Sequence, residues 1–210
     1  PINSVLGVTT ANIRKLSKRI GTDADLADHL WNSRYHEAKL LAVLIAPFLG
    51  DHRLNDWVVD VDSWDVCDQF AKRVSEVQPE IVDLVTDWVN NDSLFVRRAG
   101  LALIANHCVK STDLTDDKVE VFTGLLKSAS VDERQHVRQA CCWALRELGK
   151  VYDHSHEVAT SLALELCESS NRASAWVGRC AYKELELLVK IPDRRRLISR
   201  RSKSAAKYVD

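Results

Sequence analysis

The stretch Phe95-Val96-Arg97-Arg98-Ala99-Gly100-Leu101-Ala102-Leu103 decides the fold, because altered versions of it follow twice more. The second is His136-Val137-Arg138-Gln139-Ala140-Cys141-Cys142-Trp143-Ala144-Leu145, and the third is Trp176-Val177-Gly178-Arg179-Cys180-Ala181-Tyr182. Val96, Val137 and Val177 align at offsets of 41 and 40. A small residue follows each of them three positions on, at Ala99, Ala140 and Cys180, and small side chains let neighbouring helices approach closely. Apolar residues recur at helical spacing within each version. A period near 40 with two helices per unit is the signature of HEAT-like α-solenoids.

The partner helix of each repeat is legible as well. Pro79 to Val89 precedes the helix at 95–108, Thr115 to Ala129 precedes 136–148, and His154 to Glu168 precedes 175–189. Stop and start signals separate them: Asn90-Asn91-Asp92-Ser93, Ser130-Val131-Asp132 and Ser169-Ser170-Asn171. Nearer the N-terminus, less regular helices are expected near 10–20, 23–32, 35–49, 54–60 and 63–77. The expected fold is therefore all-α, an α-α superhelix with a concave ligand-binding face lined by one helix of each pair. Residues 1–193 form one repeat domain in this reading, and 194–210 a basic tail.

Composition agrees with that class. Gly (7) and Pro (4) are too scarce among 210 residues for many short strands and tight turns. The longest nearly apolar run, Leu40 to Gly50, is interrupted by Pro47 and falls far short of a membrane span. No basic-then-apolar signal peptide opens the chain, and a cytoplasmic, bacterial, nucleoid-associated protein is expected. The chain begins at Pro1 and holds no Met, so either a trimmed start or the loss of Met positions from the sequence is expected. The six Cys form no C-x-x-C pair and read as buried free thiols. His154 and His156, in Asp-His-Ser-His-Glu, lack further spaced metal ligands and read as an exposed inter-helix loop.

The formal net charge of −1 hides an asymmetry. Residues 171–210 carry 11 Lys and Arg against 4 Asp and Glu, a net of +7, and residues 1–170 carry −8. A basic end suggests a polyanion partner; the plainer reading is a solvated tail holding Arg194-Arg195-Arg196 and Arg200-Arg201.

One segment carries candidate chemistry: Asp62-Ser63-Trp64-Asp65-Val66-Cys67-Asp68. Asp62 and Ser63 read as helix N-cap residues, Asp65 as a charge favourable to the helix dipole, and Cys67 as core. Trp64 and Asp68, four residues apart, share a helix face. An aromatic ring beside a mid-helix carboxylate suits a groove in which charge develops. Arg97-Arg98 opens a second helix, against the sense of its dipole, and a phosphate partner would offset that cost. Trp143 lies on a third helix, followed by Arg146 and Lys150.

From about Val8 onward the chain resembles the AlkD-type DNA alkylation-repair glycosylases. The stretches that carry the resemblance are Trp64-Asp65-x-x-Asp68, Phe95 to Gly100 and Cys142 to Glu147. The resemblance implies that Trp64 and Trp143 pack against the lesion-bearing deoxyribose, that Asp68 is the catalytic carboxylate, and that Arg98 holds the DNA backbone. It also implies a monofunctional glycosylase acting without base flipping, on double-stranded DNA with alkylated bases. A monomer is expected, with no cofactor, no metal and no membrane partner. The resemblance also implies a further N-terminal helix or two ahead of the helix expected at 10–20, close to which this sequence starts. Expected DNA-binding residues are Arg97, Arg138, Arg146, Lys150, Arg172, Arg179 and Lys183, with Lys72 and Arg73 as further candidates; Lys72 is expected to pair with Asp68 or to face phosphate. The competing reading is a non-catalytic HEAT-repeat binding module for nucleic acid or protein, which requires Trp64 and Trp143 to be core residues.

Overall fold

The structure, a computed structural model, describes residues 4–48, 53–112 and 114–208. Among them eleven α-helices form, and by contact density the chain divides into two compact units, Pro1–Glu80 and Ile81–Asp210.

The first unit holds α1 (Thr10–Ile20), α2 (Ala24–Trp31), α3 (His36–Ile45), α4 (Arg53–Val59) and α5 (Trp64–Val77). Helix α3 packs against α1, α2 and α5 and buries Leu40 to Val43 and Ile45. It ends sooner than the apolar run suggests. Ala46 is extended, as a residue before proline must be, and Pro47 stops the helix; residue 49 of the expected 35–49 helix lies outside the described residues. Four aromatic rings fill this core. Trp31 stacks on Trp57 with centroids 4.3 Å apart, while Phe48 meets both Trp57 and Phe70 edge-on at 5.3 Å. Arg53 holds Asp28 through two hydrogen bonds of 2.7 and 2.8 Å.

Glu37 binds the N-terminal strand of chain to this unit. Its buried carboxylate accepts from the backbone N–H groups of Leu6 (2.9 Å), Gly7 (2.7 Å) and Val8 (3.2 Å). The Leu6 N–H, with its neighbours, holds the Glu37 pKa below the ordinary range despite burial. Glu37→Gln should therefore speed hydrogen exchange of the Leu6, Gly7 and Val8 amides by about tenfold or more. Unchanged exchange at all three amides would contradict this role.

The second unit is three helix pairs: α6 (Val82–Val89) with α7 (Leu94–Lys110), α8 (Asp116–Ala129) with α9 (Gln135–Leu148), and α10 (Asp153–Cys167) with α11 (Arg172–Leu185). The second helices pack in series, α7 on α9 on α11, and so do the first helices, α6 on α8 on α10. This is the repeat that the period near 40 predicts. Helix α7 buries residues on nearly every face, as a helix wrapped by neighbours does. Small residues also matter at two glycines. A Cβ added to Gly100 would lie 2.8 Å from the Val89 backbone N, and one on Gly178 would lie 2.6 Å from both Ala163 O and Cys167 N. These glycines sit at close helix approaches.

Three further expectations change. His154 and His156 lie in the first turn of α10, not in a loop, and His156 Nδ1 is 3.2 Å from the Gly149 carbonyl. Helix α11 ends at Leu185; Leu188–Val189 (β1) instead pairs antiparallel with Ile198–Ser199 (β2). The segment expected as a basic tail is bonded to the second unit: Arg195 donates to the carbonyls of Val109 and Ser111 at the end of α7, and Arg196 donates to Glu147 at 2.6 Å.

A buried ionic cluster joins the second unit's repeats. Asp132 accepts from Arg97 (2.8 Å) and Arg134 (2.6 Å). Burial opposes its charge, but the two guanidinium groups prevail and bring its pKa down to about 2. A carboxylate lowered in the fold contributes stability that is complete above its ordinary value of 3.8 and is lost as pH falls toward 2. Asp132→Asn should cost about 2 kcal/mol at neutral pH in urea unfolding, with the gap narrowing below pH of about 4. A gap that is independent of pH would refute the assignment.

Candidate functional site

Helix α5 is set by its buried face, Val66, Cys67, Phe70, Ala71 and Val74. This leaves Trp64, its first residue, 56% exposed, and Asp68, one turn on, half-buried. A ring so exposed is no core residue, which removes the requirement of the binding-module reading at Trp64. Asp65 is structural, as expected: its Oδ2 lies 2.8 Å from His36 Nε2 on α3, and its Oδ1 accepts from the Val66 N–H. Ser63 stands at the N-cap position but does not cap; its hydroxyl is buried without a hydrogen-bond partner. Asp62 faces Lys39 at 3.5 Å. Lys72 pairs with Glu76 at 4.0 Å.

The other two expected catalytic residues belong to the second unit. Arg98 is buried and donates to the His136 carbonyl at 2.7 Å, tying α7 to the start of α9. Trp143, two turns further along α9, is half-buried.

The expected DNA-binding residues fall into two groups. The first is engaged within the protein. Arg97 holds Asp132, Arg146 holds Glu184 at 3.0 Å, and Lys150 holds Glu147 at 2.9 Å and also Glu184. Burial of Glu147 raises its pKa, but Arg196 and Lys150 outweigh this and keep it ionised. The second group is open. Arg172, Arg179 and Lys183 are exposed along α11 and make no hydrogen bond or ion pair among the described residues. Arg138, from α9, lies 4.9 Å over the ring of Trp176, and its Nε has no partner. Arg138, Arg172, Arg179 and Trp176 line one cleft of about 500 Å³ between α9 and α11, with Glu133 as the single carboxylate. Trp176 is absent from the sequence expectations. Its signal is spacing: Arg172, Trp176 and Arg179 follow at i, i+4 and i+7, one face of a helix.

The fold and these residues define a HEAT-like repeat protein with a cationic, aromatic surface. The sequence profile of the DNA alkylation repair enzymes matches residues 3–185, and the chain belongs to that family. No curated protein matches it. A solved structure similar to this chain is described as "a new family of proteins related to the HEAT-like repeat DNA glycosylases with affinity for branched DNA structures". The two are 19% identical with a TM-score of 0.69, over 83% of this chain and 80% of that one, a likeness that shows the shared fold. Among the described residues no helix is long and apolar enough to cross a membrane.

Proposed function

We infer that this DNA alkylation repair protein hydrolyses the N-glycosidic bond of purines alkylated at N3 or N7. The observation that carries the reading is α5 itself: an exposed Trp64 one turn from Asp68, on a helix whose other acidic residues, Asp65 and Glu76, are held by His36 and Lys72. An N3- or N7-alkylated purine is cationic and already a good leaving group, so no general acid is required. Departure of the base leaves positive charge on the deoxyribose. Asp68 stabilises that charge and orients the attacking water. The exposed face of Trp64 adds cation–π attraction. Arg138, Arg172, Arg179 and Lys183 grip phosphates. The lesion is read without base flipping.

The experiment is release of 7-methylguanine or 3-methyladenine from alkylated duplex DNA. Release no faster than spontaneous depurination ends the reading. A second reading, DNA binding without chemistry, is favoured by one observation: the similar solved structure belongs to proteins with affinity for branched DNA. Tight binding of branched DNA with no base release selects it.

A further inference from the structure

We propose that the α9–α11 cleft, whose arginines are already assigned to phosphate, is specialised for unpaired nucleotides: a base stacks at Trp176 and the adjoining phosphates lie against Arg172 and Arg179. The sorting of the cations is the first ground. Arg97, Arg98, Arg146 and Lys150 each hold a protein oxygen, whereas Arg172 and Arg179 have no ion pair among the described residues. Guanidinium groups brought together without carboxylate partners repel one another, and a polyanion relieves that repulsion. Arg138 adds a third charge, and exposed Glu133 offsets only one.

The aromatic ring is the second ground, and it separates single strand from duplex. A duplex backbone needs cations alone, because its bases are stacked on each other. Trp176 is only half-buried, lines the cleft, and carries the Arg138 guanidinium 4.9 Å from its ring centre. An arginine–tryptophan pair in a cationic groove is a stacking platform for bases that have no partner strand. The cleft's volume of about 500 Å³ accommodates one or two nucleotides.

The proposal rests on nucleic acid as the partner and not on base excision. The test is fluorescence anisotropy with an oligothymidine of about twelve nucleotides and with a duplex of the same length. Trp176→Ala should weaken oligothymidine binding about tenfold and leave duplex binding within about twofold, while Trp176→Phe restores most of the loss. Arg172→Ala with Arg179→Ala, at exposed positions that tolerate substitution, should weaken oligothymidine binding about as much. Oligothymidine affinity that is indifferent to either change overturns the proposal. So does an equal loss on duplex in Trp176→Ala, which makes the cleft a plain phosphate contact. Absence of 7-methylguanine release would sink the glycosylase reading alone, because anisotropy reads binding only.

Discussion

Asp68→Asn should lower 7-methylguanine release by about a hundredfold or more while duplex affinity stays within about threefold. The asymmetry follows from where the charge is. In the proposed reaction the positive charge of the bound substrate sits on the alkylated base; in the transition state it moves onto the sugar, where a carboxylate at Asp68 would meet it. Asn fills the same volume and keeps a hydrogen-bonding oxygen, but it brings no net charge. Binding is therefore preserved and the rate falls. Single-turnover release on methylated DNA, with anisotropy on the same DNA, reads both quantities. Equal loss of binding and rate would make Asp68 a structural residue, and equal release from variant and parent would remove it from the chemistry. Trp64→Ala should lose rate too, by about tenfold, since cation–π stabilisation of a partly desolvated cation amounts to about 1–2 kcal/mol.

The second large effect concerns the fold. Gly178→Val should lower the melting temperature by about 10 °C, the consequence of about 3 kcal/mol of overpacking. The side chain would enter space already held by the backbone of α10, at Ala163 O and Cys167 N, and backbone yields less readily than a flexible side chain. Gly124 is the control. It lies exposed within α8 with nothing near its missing Cβ, so Gly124→Ala should stabilise by about 1 kcal/mol through helix propensity. Thermal melting by circular dichroism distinguishes them. Opposite signs support the close crossing of α10 and α11, and a Gly178→Val protein as stable as the parent would refute it.

The helices were legible because their information is local. The apolar period of Phe95 to Leu103 returns twice, and each return marks a helix whose partner precedes it by one short loop. What depends on distant chain was not legible. Nothing near Arg97 announces that Asp132, thirty-five positions away, will take its guanidinium, or that Glu184 will take Arg146. Counting basic residues therefore overestimated the surface available to phosphate. Ser63 misled for a related reason: it occupies the N-cap position of α5, but its hydroxyl does not reach the first-turn amides. The short β1–β2 pair was hidden because Leu187-Leu188-Val189 continues the apolar pattern of α11, and only the partner at 198–199 reveals the strand. For the site, sequence identified Trp64 and Asp68 as one helix face, while Trp176 escaped notice until its cleft was visible.

The thiols have a consequence for a protein that works where DNA is being alkylated. Methylating electrophiles attack thiolates faster than they attack bases, so an exposed ionised cysteine would be consumed by the agent that creates the substrate. Here Cys67, Cys108, Cys141 and Cys142 are buried, and burial pushes the Cys108 and Cys141 thiols up to about 12. Such groups stay protonated and out of reach. Iodoacetamide should label the native protein only at half-buried Cys167 and Cys180, and rapid labelling of Cys108 or Cys141 would contradict this. The packed interior, besides holding the helices together, acts as chemical armour against the electrophile.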